Sequence, residues 1–127
     1  MNRIQAADPI LFHLTRARRE VEFRLQERLD QMRLHVSGQF GQVSPVDSLV
    51  HYLSDLVQGS LAKLRTFSLA EKAYKSGGPE EAKKWAQYHL RFLAKYPENN
   101  AQAAYRDRQE MTALVKVLDI LDSKVNQ

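Results

Sequence analysis

Apolar or long side chains recur along this chain at intervals of mostly three and four, in four separate runs. That interval marks one face of an α-helix, and strand-like alternation occurs nowhere. The first run is Leu11, Leu14, Arg18, Val21, Leu25, Leu29, Met32 and Val36. Asp8-Pro9 precedes it as a cap and first-turn pair, because Asp accepts orphan amide bonds and Pro has no amide to leave unpaired. Ser37-Gly38 follows it as a stop signal. The pattern predicts a helix over 9–36, on the order of 40 Å long. A helix of that length needs partners from the rest of the chain.

The second run is Val46, Leu49, Val50, Leu53, Leu56, Val57, Ser60, Leu61, Leu64 and Phe67, predicting a helix over 45–75 capped by Ser44-Pro45. Gly59-Ser60 lies on its apolar face and predicts a close helix crossing or a mild kink. Past Phe67 the stripe fades into Glu71 and Lys75, so the last turns are expected to face water. Ser76-Gly77-Gly78 stops this helix, and Pro79 opens a third over 79–96. The third has Ala82, Trp85, Ala86, His89, Phe92, Leu93 and Tyr96 as its expected buried face. Pro97 closes it, and Asn99-Asn100 caps a fourth over 100–124 carrying Ala104, Met111, Leu114, Val115, Leu118, Leu121 and Val125. Four helices with mostly short connections predict an all-α fold, an antiparallel up-down-up-down four-helix bundle with a long N-terminal helix. Residues 1–127 are expected to form a single domain. One end would gather the N-terminus, the 72–84 turn and the C-terminus.

Composition narrows the chemistry more than the fold. Cysteine is absent, which removes disulfides, thiolate metal sites and cysteine nucleophiles together. No apolar run approaches the roughly 18 residues of a membrane span, and the first residues show no secretory leader. The expected location is cytoplasmic, with membrane association if the basic residues meet lipid; leaderless secretion stays open. Net charge is +4 but regional. Residues 37–59 hold no Lys or Arg, whereas residues 60–96 hold eight against three acidic residues. Such an excess attracts phosphates or anionic lipid and says little about fold.

Catalytic and metal motifs are missing. Di-iron bundles use Glu-x-x-His pairs, yet the residues three before His13, His35, His51 and His89 are Ile10, Met32, Ser48 and Ala86. His35 and His51 could meet near the loop end but lack a third ligand. Gly-x-Ser-x-Gly, Walker and dinucleotide glycine patterns do not occur. Ser76 to Pro79 places glycines before a helix start, but Glu80 and Glu81 fill that positive end and repel phosphate. No catalytic residue, metal or cofactor is therefore assigned, and the chain is expected not to be an enzyme.

Two stripes remain. Phe12, Arg16, Arg19 and Phe23 step by four, three and four, roughly opposite the Leu11–Val36 seam. Two aromatics and two arginines on a face that should meet water suggest a protein partner or a homodimer. Val117 and Ile120, off the main seam of the fourth helix, add further apolar surface. The second stripe is Lys84, Tyr88, Arg91 and Lys95, which Lys72, Lys75 and Lys83 would enlarge. A basic line with an aromatic suits anionic headgroups such as phosphoinositides, although a solvated face with Glu80 pairing Lys84 is the simpler explanation. Four cations are few for nucleic acid at physiological salt, and no helix-turn-helix spacing stands out. The leading expectation is a non-enzymatic helical interaction module, an adaptor, small chaperone or regulatory subunit. The alternative is a localisation domain on anionic membrane, and nucleic-acid binding ranks last.

Overall fold

The computed structural model describes residues 8–36, 46–97 and 99–125, and the described residues form three α-helices and no strand. Helix α1 is Pro9–Val36, α2 is Val46–Lys95 and α3 is Ala101–Val125. The all-α expectation holds. Three helices are counted among the described residues where four were expected, because the 50-residue α2 runs across the boundary expected at 76–79, where it is broken at Gly78. The expected stop at Ser37-Gly38 and cap at Ser44-Pro45 lie outside the described residues.

The expected punctuation at Gly78-Pro79 nevertheless has a physical effect. Gly78 is the one residue of α2 with non-helical angles, at φ 81° and ψ −175°. Proline pushes the preceding residue out of the helical region toward extended ψ, and only glycine pairs that ψ with a positive φ cheaply. A straight helix would hold Arg65 and His89 roughly 36 Å apart. Both act electrostatically on Glu110 of α3. Likewise Phe67, Ala70, Ala82 and Ala86 share one core cluster. The chain therefore folds back at Gly78, and the arms 46–77 and 79–95 both pack along α3. Neighbouring Gly77 has no room for a side chain, since a Cβ there would lie 2.5 Å from Cβ and Cγ of Glu81.

Contacts set the directions. Asp8 meets Tyr74, Thr15 meets Glu71 and Arg28 meets Ser60, so α1 runs antiparallel to the first arm of α2. Asp55 meets Gln102 and Gly59 faces Tyr105, so α3 runs parallel to that same arm. Lys83 then meets Asp122, so α3 is antiparallel to the second arm. The close crossing expected at Gly59 is present: a Cβ there would sit 2.8 Å from Tyr105 Cε2. Caps fall where expected. Asp8 Oδ1 accepts from the Leu11 amide at 3.1 Å, and Asn100 Oδ1 accepts from the amides of Gln102 and Ala103.

The core is built around Leu14, Leu114, Val117 and Leu121, all fully buried, with alanines at 17, 70, 82, 86 and 113. Small residues on facing helices let their axes approach toward the lower end of the usual 8–10 Å. Each large side chain contributes about 1.5–3 kcal/mol of burial. Several expected phases shift by one position. On α3, Val117 and Ile120 are core, not spare surface, while Val115 is exposed. On the second arm, Ala82 and Ala86 face inward with Leu90 and Leu93 behind them, whereas His89, Phe92 and Tyr96 are exposed. Two rows at helical spacing compete there, and the alanine row wins because it permits the closer approach to α3. Leu29 and Leu61, expected in seams, are also exposed.

The largest departure is Glu71. Expected in water, it is 7% exposed. Arg18 donates from Nε to Glu71 Oε1, and Thr15 Oγ1 donates to Oε2 at 2.6 Å. Arg18 also reaches Glu22 at 2.9 Å, and its hydrogen bond to Glu71 raises the guanidinium pKa above its ordinary value. One turn further, Tyr74 Oη donates to Asp8 Oδ1 at 2.7 Å. Burial and this bond push the Tyr74 phenol up to about 12.

Two outcomes follow for stability, both readable by urea denaturation. Gly78→Ala should cost on the order of 1–3 kcal/mol although open space surrounds the position, because the cost is conformational. Arg18→Gln should cost on the order of 3 kcal/mol by stranding the Glu71 carboxylate, and Arg18→Leu with Glu71→Met should recover most of it.

Candidate functional site

The α1 stripe lies where its spacing puts it. Phe23 is 66% exposed, Arg16 and Arg19 are exposed, and Phe12 is half-buried with its ring edge-on to His13 at 5.3 Å. These four side chains line one shallow groove, together with Thr15, Glu20, Arg24 and Glu27. Every wall comes from α1, so the groove is the relief of one helix face about 22 Å long. Small-molecule sites are usually enclosed by several elements, which this groove is not. The glutamates interleave with the arginines, and Arg16 Nε lies 3.8 Å from Glu20 Oε2. Thr15, bonded to Glu71, marks the inner edge.

The seven residues of the basic stripe are divided. Lys83 turns to α3 and pairs with Asp122 at 2.7 Å, a hydrogen bond that raises its ammonium pKa. It therefore joins two helices instead of extending the stripe. Lys72 and Lys75, both exposed, sit on the first arm beside Ser68 and Ser76. Lys84, Tyr88, Arg91 and Lys95 are exposed on the second arm, as their spacing requires.

Beside those four lie His89, Phe92 and Tyr96, which the sequence placed inside, and half-buried Trp85, which packs against the core as expected. His89 is tilted against Trp85 at 5.2 Å and edge-on to Tyr88 at 5.5 Å, and Phe92 tilts against Tyr96 at 5.0 Å. Lys95 Nζ sits over the Tyr96 ring at 5.5 Å. Tyr88 is 60% exposed and Tyr96 54%. The signal available in the sequence was Leu90, which continues the Ala82–Ala86 row at helical spacing and turns the buried face away from His89, Phe92 and Tyr96.

Among the described residues no group of three or more His, Cys, Asp or Glu side chains is placed to hold a metal ion. The side chain of His35 lies outside the described residues, so its meeting with His51 does too. No described helix is long and apolar enough to cross a membrane. Compared with known protein families, curated proteins and solved structures, the chain matches none.

Neither stripe carries the fold. Phe23→Ser and Tyr88→Ser should each shift stability by less than about 0.5 kcal/mol in thermal melts, whereas Val117→Ala, fully buried, should cost about 1–3 kcal/mol.

Proposed function

We propose that the chain is a non-enzymatic helical interaction module, of the adaptor, small-chaperone or regulatory-subunit kind, that receives an amphipathic helix of a protein partner along α1. The carrying observation is Phe23, two-thirds exposed and aligned with Arg16, Arg19 and Phe12 in one groove. In this reading residues 1–127 act as one domain, and the arms of α2 behave as separate helices of an antiparallel up-down-up-down bundle. The first arm then holds the inner side of α1 while its outer side stays available. Helix-in-groove recognition uses anchors at three- and four-residue spacing, which Phe12, Arg16, Arg19 and Phe23 supply. Three arginines in the groove against Glu20 and Glu27 favour a partner whose apolar stripe is flanked by carboxylates.

A second reading has its own support. Exposed Tyr88, Phe92 and Tyr96 beside Lys84, Arg91 and Lys95 suit the interface of an anionic membrane such as one bearing phosphoinositides. Each cation near such a surface contributes about 1 kcal/mol. Lys72 and Lys75 would add to it from the first arm.

The test uses a fluorescent helical peptide with a leucine stripe and flanking glutamates, followed by anisotropy. Binding is expected in the micromolar range. It should weaken at least tenfold in Phe23→Ser and in Arg19→Glu, with far-UV circular dichroism unchanged and light scattering reporting any homodimer. Equal binding by both variants overturns the α1 reading. Co-sedimentation with anionic vesicles that survives both substitutions and fails in Lys84→Gln/Arg91→Gln would favour the membrane reading instead.

A further inference from the structure

The described cations include four that neither stripe contains as a group. Arg24 and Arg28 of α1, Lys63 of α2 and Lys116 of α3 converge on one cleft of about 360 Å³ between the three helices. Val21 and Phe67 supply part of an apolar floor, and Glu20 is the one carboxylate in the lining. Glu20 is already shared with Arg16. Among the described residues no ion pair joins any of the four cations to a carboxylate. Arg28 Nη1 donates to Ser60 Oγ at 2.5 Å and toward the Leu56 carbonyl at 3.5 Å, which holds its guanidinium at the cleft wall. Because Ser60 Oγ accepts that bond, its own hydroxyl proton remains able to donate. Thr112 differs: its hydroxyl donates to the Arg108 carbonyl, so it contributes an edge and no donor.

Gathering four like charges in a partly desolvated cleft raises the free energy of the unliganded protein. The lysine in the middle registers this. Burial lowers the Lys63 pKa, and Arg28, Arg24 and Lys116 lower it further. An entering anion would relieve both effects. Guanidinium forks match phosphate oxygens in pairs, and lysines add point charge. Enclosure by three helices favours a compact group over an extended phosphate backbone, and the volume lies within the range of small-ligand sites.

We propose that this three-helix cleft binds a compact, multiply phosphorylated anion, free or as a lipid headgroup, through Arg24, Arg28, Lys63, Lys116 and the Ser60 hydroxyl. The site stands independently of the α1 groove, with which it shares only Arg24 and Glu20 at the border, and Phe23→Ser should leave it intact.

The probes are inorganic tripolyphosphate and vesicles of phosphatidylcholine with or without phosphatidylinositol bisphosphate. Tripolyphosphate at about a hundred times its Kd should raise the melting temperature by several degrees beyond sodium chloride of equal ionic strength. Lys63→Met with Lys116→Gln should weaken binding at least tenfold while raising the unliganded melting temperature, because repulsion is relieved. Arg24→Gln alone, on an exposed side chain, should weaken binding about tenfold and serves if the double variant misfolds. Arg33→Gln with Arg108→Gln, removing equal charge elsewhere, should bind as the parent does. NMR titration of Lys63 should show its pKa moving back toward 10.5 on binding. Without ligand, the folded state releases this proton before the unfolded state does, so stability should rise as pH climbs toward that value. Binding confined to the phosphoinositide vesicles and lost in the cleft variants assigns the phosphate to a headgroup. No shift beyond the chloride control with either probe, or equal shifts in parent and cleft variants, overturns the proposal.

Discussion

Gly78 carries the constraint on which the packing depends. Its positive φ with extended ψ lets a 50-residue helical element return along α3, so that Ala82 and Ala86 complete a core begun by Phe67 and Ala70. Without the reversal, the second arm would extend into solvent and half of the Leu114–Leu121 face would lose its cover. Pro79 and Gly77 act on the same point from either side. Proline forces extended backbone before it, and the missing side chain of Gly77 makes room for Glu81.

Once the reversal exists, register is set by a few polar contacts whose misplacement is costly. Glu71 is buried and requires Arg18 and Thr15 opposite it. A slip of one turn would leave a carboxylate in a low-dielectric interior without a partner. Asp8 does double duty, capping α1 and accepting from Tyr74, which ties the start of α1 to the end of the first arm. The Lys83–Asp122 pair ties the second arm to α3. These contacts hold the bundle end where 8, 74, 83 and 122 meet. They leave the outer face of α1, the exposed rings Tyr88, Phe92 and Tyr96 and the side chains of Arg24, Lys63 and Lys116 outside this set of contacts.

The recognition roles proposed above rest on that division of labour. The described surface offers aromatic and arginine side chains on rigid helices, which lowers the ordering cost of binding. It also offers cations whose charges are unanswered within the fold. In the proposed readings one face acts by apolar burial against a partner and the cleft by pairing with phosphate.

By itself the sequence determined the helical content, the α1 limits, the caps at Asp8 and Asn100, the break at Gly78-Pro79 and the outward stripes of α1 and the second arm. Each rests on interactions within about four residues, where spacing and backbone preference are decisive. Tertiary structure decided which of two adjacent rows on a helix is buried. Val117 replaced Val115, and of the face expected inside on the second arm Ala82, Ala86 and Leu93 stay in while His89, Phe92 and Tyr96 turn out, because the choice depends on how closely a distant helix can approach. It also decided that Glu71 is buried, that Lys83 is paired, and that Arg24, Arg28, Lys63 and Lys116 meet. Those four are separated by up to 92 positions in the chain. No periodicity links them, and only the folding of three helices against one another brings their charges into one cleft.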